Sequence, residues 1–165
     1  MKGKALEFAT MAHGDQKRKY TDEPYIIHPI AVAEIVKSVE HTDEMIAAAL
    51  LHDVVEDTPF TIDDIFDRFG DNVGELVSWL TDVSRPEDGN RKIRKRIDRE
   101  HIAEAPADAQ TIKIADLIHN TGSIERYDPS FWKVYKQEKI DLLGVLTKGD
   151  ATLRKRAYEL AGTKI

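Results

Sequence analysis

The sequence contains no cysteine among its 165 residues. This absence excludes disulfides, zinc fingers, iron–sulfur clusters and cysteine nucleophiles. Long hydrophobic runs are also absent: the longest, Met45–Leu51, has seven residues, whereas a membrane-spanning helix needs about 20. The first residues carry no secretory pattern. We therefore expect a cytoplasmic protein with no membrane partner.

The chain also lacks an excess of positive charge. It carries 24 Lys and Arg against 30 Asp and Glu, which gives a formal net charge of −6. Proteins that bind nucleic acids generally show a basic excess, so we expect no nucleic-acid partner. The length fits one domain over residues 1–165. Without cysteine, the six histidines are the main catalytic resource.

Strand patterns are missing as well, because no convincing period-2 stretch occurs and apolar residues recur at helical spacing. The sequence predicts an all-α bundle of eight or nine helices. Thr42, Thr61 and Asp150 are predicted N-caps, and Gly70 is predicted to end the helix that Thr61 begins. The helix that starts at Thr42 is predicted to run to about Thr58.

Four titratable residues follow the apolar run directly: His52, Asp53, Glu56 and Asp57. On one helix, residues four apart share a face. Three acids and an imidazole on a largely buried helix are costly unless something neutralises them. A divalent cation between His52 and Asp53 would do so, with Glu56 and Asp57 beside it. The alternative is a satisfied core histidine followed by an exposed acidic helix end.

Two further segments favour the metal interpretation. His28 lies between apolar residues at a predicted helix start, where a packing histidine is the alternative. Asp116 lies inside an apolar helical stretch, and buried unpaired carboxylates are rare. Together, His28, His52, Asp53 and Asp116 form a mixed set that suits Mn²⁺, Fe²⁺ or Zn²⁺ better than Ca²⁺.

These residues, in this order, resemble the HD-domain metal-dependent phosphohydrolases. More narrowly, they resemble the hydrolase domain of the RelA/SpoT alarmone enzymes, above all the small stand-alone Mesh1 type. The resemblance covers most of the chain. The matching stretches are Ala12-His13, Gln16–Lys19, Pro24–Ala33, Ala47–Thr58, Phe69-Gly70, Lys113–Asp116 and Asn120.

The resemblance implies a fold, a metal and a reaction. The fold is a compact helical bundle of HD type. His28, His52, Asp53 and Asp116 would hold one Mn²⁺, with Fe²⁺ or Zn²⁺ as alternatives. Glu56 and Asp57 would orient or deprotonate a water. The family substrate is guanosine tetraphosphate or pentaphosphate, cleaved at the ribose 3′ position to release pyrophosphate. Mesh1-type enzymes are also associated with NADPH dephosphorylation.

Substrate phosphates require basic side chains. Arg18 and Lys19 match the family's substrate-binding loop. A second basic group, Arg91–Arg96, is a solvated helix face or contributes one or two side chains to a pocket, of which we favour Lys95. Asn120 is a candidate for hydrogen bonds to base or sugar, and Tyr135 is either a ligand contact or an ordinary core or surface tyrosine.

The sequence departs from the family directly after Asn120. Family members carry an arginine in the run that follows the asparagine, whereas this chain has Thr121-Gly122-Ser123. The substrate therefore stays open between guanosine tetraphosphate and another phosphate ester such as NADPH or a nucleotide. A catalytically inactive nucleotide-binding module is the alternative from another class, and the oligomeric state is open.

Overall fold

The described part of the chain is helical. The computed structural model describes residues 1–162. These residues form nine α-helices and a short 3₁₀ helix at Pro86–Asp88, with no strand. An isolated antiparallel bridge pairs Lys17 with Pro24. The predicted all-α class and the number of helices are confirmed.

The chain divides into two compact units, Met1–Thr81 and Asp82–Ile165. The single domain expected from the length therefore stays a prediction. The first unit contains α1 (Lys2–His13), α2 (Ile27–Lys37), α3 (Asp43–Leu51), α4 (Val54–Asp57) and α5 (Ile62–Leu80). The second contains α6 (Arg91–Ala103), α7 (Ala107–Tyr127), α8 (Pro129–Val145) and α9 (Ala151–Leu160).

The core of the first unit is built around α3. Every residue of Met45–Leu51 is buried, and α3 packs against α1, α2 and α5. In the second unit, α7 has the same role, since it packs against both α8 and α9 and its Ile112 and Ile114 are fully buried. Removing these side chains from water is the main stabilising term in each unit. Within residues 1–162, no helix combines the length and apolar character needed to cross a bilayer.

The predicted N-caps are confirmed by their hydrogen bonds. The Thr42 hydroxyl accepts from the backbone N–H of Met45 at 3.2 Å, and the Asp150 carboxylate accepts from that of Leu153 at 2.9 Å. Thr61 and Asp64 form a reciprocal capping box at the start of α5. Each cap satisfies a backbone donor that has no partner within its helix.

The predicted continuous helix from Thr42 to Thr58 is wrong, because the chain leaves the helix between Leu51 and Val54. In an uninterrupted helix, the Ala49 carbonyl would accept from the Asp53 backbone N–H. Here the His52 side chain bonds to that carbonyl, with Nδ1 and oxygen 2.6 Å apart. A side chain that competes for a backbone acceptor weakens the helix at that point. His52 and Asp53 therefore lie in a turn.

Gly70 interrupts α5 as the sequence predicts. Its φ of 86° and ψ of 178° are not helical, so α5 consists of two helical segments that meet at this residue. Side chains other than glycine rarely adopt this backbone conformation. The turn between the two segments therefore depends on the missing Cβ.

We predict that Gly70→Ala lowers the free energy of unfolding by about 1–3 kcal/mol, because alanine is strained at this positive φ. The matched control is Gly144→Ala. Gly144 lies in α8, where an added Cβ would meet only open space, so alanine there should be neutral or stabilise by up to about 1 kcal/mol. Urea unfolding measures both. Equal stability of the two variants would contradict the role given to Gly70.

Candidate functional site

His52 is held in one tautomer by its surroundings. The residue is buried, and its Nδ1 lies 2.6 Å from the Ala49 carbonyl oxygen. A carbonyl only accepts hydrogen bonds, so Nδ1 must donate. In the neutral ring, Nε2 then carries a lone pair, and this atom lies 3.0 Å from Oδ2 of Asp53. The turn between α3 and α4 thus points an imidazole lone pair at a carboxylate.

His28 and Tyr25 complete the surroundings of Asp53. His28 is buried at the start of α2, and its Nε2 lies 3.6 Å from the same Asp53 oxygen. The Tyr25 hydroxyl donates to this oxygen at 2.6 Å. One ligand atom each from His28, His52 and Asp53 lies within 4.8 Å of the others. The three predicted ligands of the first unit are therefore brought together.

The chemistry of this cluster fits a divalent cation. A lone pair of His52 and an oxygen of Asp53 repel each other unless a proton or a cation lies between them. Metal-binding histidines commonly donate their second ring N–H to a backbone carbonyl, as His52 does to Ala49. A set of imidazole nitrogens and a carboxylate oxygen suits Mn²⁺, Fe²⁺ or Zn²⁺.

Glu56 and Asp57 lie on α4, one turn beyond the cluster, and both side chains reach the surface. Partial desolvation raises the pKa of Asp57, and the negative charge of Asp53 raises it further. A hydrogen bond from Gln16, the proximity of His13 and a hydrogen bond from Tyr25 act in the opposite direction. The net effect is a carboxylate with a raised pKa beside the histidine cluster.

Arg18 and Lys19 lie on the loop between α1 and α2, in the same unit. The backbone N–H of Arg18 donates to the Glu23 carbonyl at 2.8 Å, which closes the loop on itself. Arg18 is half-buried, whereas Lys19 is exposed and lies over the Tyr20 ring. The loop therefore presents two cations from a fixed backbone.

Asp116 is buried on α7 in the second unit, as its apolar surroundings in the sequence predict. Both of its oxygens are engaged. Lys113 donates to Oδ2 and the Asn120 amide donates to Oδ1, each at 3.2 Å. The carboxylate is thus held by a cation one turn before it and an amide one turn after it.

Tyr135 lies on α8 with its hydroxyl enclosed by protein. Burial raises its pKa well above the usual range, and the negative charge of Asp116 adds to the shift. The phenol therefore stays protonated at physiological pH.

Lys95 lies on α6 and lines a groove of about 760 Å³ between α6 and α8. Burial raises the pKa of Asp82, and the charges of Lys113 and, to a smaller extent, Lys95 act in the opposite direction. The neighbouring Arg91 donates two hydrogen bonds, of 2.9 and 3.0 Å, to the Glu138 carboxylate. Lys95 is thus one of several basic side chains that face this groove.

Two buried or site-lining polar residues, Tyr25 and Lys139, were not predicted from the sequence. Tyr25 lies in the matched stretch Pro24–Ala33, but only the fold shows that its hydroxyl reaches Asp53. Lys139 resembles any other lysine of the charged helix α8, yet it is 1% exposed. Its ammonium donates to the hydroxyl of Thr121, which in turn donates to the Leu117 carbonyl. Burial lowers the pKa of Lys139 to about 8.

Comparison with known proteins agrees with this architecture. The HD domain family matches residues 5–141. The human guanosine-3′,5′-bis(diphosphate) 3′-pyrophosphohydrolase MESH1 is 34% identical over 149 residues, which cover 88% of this chain and 82% of that protein. The guanosine-3′,5′-bis(diphosphate) 3′-pyrophosphohydrolase of Aquifex aeolicus is 49% identical over 82 residues, which cover 50% of this chain and 12% of that protein. The chain spans less than a fifth of the long relatives that it matches.

A solved structure supports the same relationship. It is described as a metazoan ortholog of SpoT that hydrolyses ppGpp and plays a role in starvation responses. Its TM-score to this chain is 0.85 at 30% sequence identity, with 96% of this chain and 92% of that chain covered. The predicted HD-type helical fold is confirmed.

We predict that Lys139→Met raises the free energy of unfolding by roughly 1–3 kcal/mol at pH 7, because it removes the desolvation of a buried ammonium group. Below pH 8 the lysine is protonated in both states. Between its folded pKa of about 8 and its ordinary value of 10.5, only the unfolded state keeps the proton. Wild-type stability therefore rises relative to the variant over this range.

Chemical unfolding of both proteins at pH 7, 9 and 10.5 measures this difference. The control is Lys133→Met, on the same helix but exposed, for which we expect a change within about 0.5 kcal/mol at every pH. A Lys139→Met protein that is clearly less stable at pH 7, or whose advantage is independent of pH, would contradict the account of Lys139.

Proposed function

Because the chain belongs to the HD domain family, we propose that it is a metal-dependent phosphohydrolase. Its proposed reaction is hydrolysis of guanosine 3′,5′-bis(diphosphate), ppGpp, at the 3′ position to give GDP and pyrophosphate. The observation that carries the proposal is the cluster of His28, His52 and Asp53, found in a chain related over most of its length to MESH1 pyrophosphohydrolases.

His28, His52 and Asp53 are proposed to hold one divalent cation, with Asp116 as a fourth ligand. The buried carboxylate of Asp116 on an apolar helix supports its inclusion. We propose Mn²⁺, with Fe²⁺ and Zn²⁺ as alternatives that the same donor set accepts. These residues would hold the cation, which would lower the pKa of a water and polarise a phosphoryl oxygen.

Glu56 and Asp57 are proposed to orient the attacking water and to take its proton. Asp57 suits the second task because burial and the charge of Asp53 raise its pKa, which makes it a stronger base than an ordinary aspartate. Tyr25 is proposed to keep the Asp53 carboxylate in place through its 2.6 Å hydrogen bond. In this proposal, one set of residues holds the cation, and Glu56 and Asp57 accept the proton.

Arg18 and Lys19 are proposed to bind the substrate phosphates, since both lie on the loop that leads into α2. Asn120, Tyr135 and Lys95 are proposed to contact the nucleoside or the second pyrophosphate group. Thr121-Gly122-Ser123 offers no arginine for this purpose. NADPH or another nucleotide is therefore the alternative substrate, and the cytoplasmic location and lack of nucleic-acid binding stay predictions.

We predict that the purified protein with Mn²⁺ converts ppGpp into GDP and pyrophosphate, measured by ion-exchange chromatography of the nucleotides. A parallel panel contains pppGpp, NADPH and common nucleotides. If only NADPH is cleaved, ppGpp is wrong as the substrate, but the proposed metal-dependent hydrolysis of a phosphate ester stands. Binding of stoichiometric metal without cleavage of any phosphate ester would favour the inactive nucleotide-binding module and overturn the proposed enzyme.

Variants of Asp53 and of the Glu56–Asp57 pair should separate metal binding from proton transfer. Asp53→Asn is expected to lose both bound Mn²⁺ and activity. Glu56→Gln and Asp57→Asn are expected to keep the metal and lower kcat by about 10²–10⁴-fold, the usual contribution of a general acid or base. Metal content by mass spectrometry and steady-state kinetics give the two readouts. The control is Asp63→Asn, an exposed acid in the first turn of α5, which should keep both metal and activity. Full activity in Asp57→Asn would refute the assignment of Asp57 as the proton acceptor.

A further inference from the structure

A chain of side chains links the end of α1 to Asp57. His13 is buried at the last position of α1, and its Nδ1 lies 3.0 Å from the Gln16 side-chain oxygen. The Gln16 side-chain nitrogen donates to Oδ2 of Asp57 at 3.4 Å. Gln16 therefore connects a buried ring to a proposed proton acceptor that lies 41 positions further along the chain.

The polarity of this connection follows from the donors and acceptors. An ionised carboxylate only accepts hydrogen bonds, so the amide NH₂ of Gln16 must face Asp57. The amide oxygen then faces His13, whose Nδ1 must carry the proton. Nε2 of His13 is buried and forms no hydrogen bond with the described residues. The polar contact of the His13 ring is thus directed at Gln16.

The main chain of Gln16 leads to the other acid of the site. Its carbonyl accepts from the backbone N–H of Tyr25 at 2.9 Å, and its own N–H donates to the His13 carbonyl at 3.0 Å. Tyr25 in turn donates to Asp53 at 2.6 Å. Gln16 is therefore connected to Asp57 through its side chain and to Asp53 through its backbone and Tyr25.

Asp57 needs such a restraint more than the buried residues do. It is the last residue of α4, a helix of only four residues, and its side chain reaches the surface. An unrestrained surface side chain samples several rotamers, whereas a general base must lie within hydrogen-bond reach of its proton. Gln16 engages Oδ2, and the Tyr25 hydroxyl is a second hydrogen-bond partner of this carboxylate, so both side chains restrict its direction.

We propose that Gln16, oriented by His13, is a positioning residue that sets the direction of the Asp57 carboxylate during hydrolysis. The inference rests on the proposed function, in which Asp57 handles the proton. A purely structural role for Gln16 belongs to its main chain, whose bonds to His13 and Tyr25 any residue except proline can make. Side-chain substitutions therefore separate the two roles.

The test is a double-mutant cycle between Gln16 and Asp57 on the full-length protein with Mn²⁺. Gln16→Leu is expected to lower kcat by about 10–100-fold, with KM for the substrate and bound Mn²⁺ within about twofold of wild type. In an Asp57→Ala background, the same substitution should have no further effect on kcat. The matched control is Lys37→Met, because this exposed side chain also donates to a carboxylate, Glu34, at 2.8 Å; its kcat should equal that of the wild type.

The inference is overturned if Gln16→Leu has the kcat of the wild type, or if the substitution lowers kcat equally in the wild-type and Asp57→Ala backgrounds. Because the wild-type protein is active in either case, the proposed function is unaffected. If Gln16→Leu does not fold, Gln16→Glu gives the same comparison, since it keeps the acceptor for His13 and places a carboxylate against Asp57. One readout is independent of activity: ¹⁵N NMR should show His13 protonated on Nδ1. A ring protonated on Nε2 alone would overturn the inference even in a protein that cleaves nothing.

Discussion

The carboxylate of Asp53 is the group on which the rest of the site depends. Its Oδ2 receives the Tyr25 hydroxyl at 2.6 Å and lies 3.0 Å from Nε2 of His52 and 3.6 Å from that of His28. The Ala49 carbonyl fixes the tautomer of His52, so the ring presents a lone pair to this oxygen. An arrangement of this kind is stable only with a positive charge between the groups. The bond from His52 to Ala49 lies where the helix is interrupted, at the turn that contains Asp53.

Much of this fold could be predicted from local residue types. Thr42, Thr61 and Asp150 cap helices because a side-chain oxygen next to an apolar helical pattern has one favourable use, and Gly70 breaks α5 because its backbone conformation excludes other residues. The break after Leu51 could not be predicted in this way. The apolar pattern favours a continuous helix there, and the competing bond is visible only once the His52 ring has been placed.

The site residues also fall into those that local residue types predict and those that only tertiary contacts reveal. His28, His52, Asp53 and Asp116 were predicted because an imidazole or a carboxylate in an apolar segment needs a partner. Tyr25 and Gln16 were not, since their contacts with Asp53 and Asp57 span 28 and 41 positions and depend on tertiary packing. Lys139 is a third case. Nothing in the α8 sequence distinguishes it from exposed lysines, yet it is buried against Thr121, directly after Asn120. This is also the point where the chain departs from the family pattern.

The most direct test of this account is a crystal structure of the protein with Mn²⁺, using anomalous diffraction at the manganese edge. The account predicts one strong peak within coordination distance of Nε2 of His28, Nε2 of His52 and a carboxylate oxygen of Asp53. It also predicts that Nδ1 of His52 still faces the Ala49 carbonyl. A peak bound elsewhere, or an Asp53 side chain that points away from an ion held by other residues, would contradict the central claim.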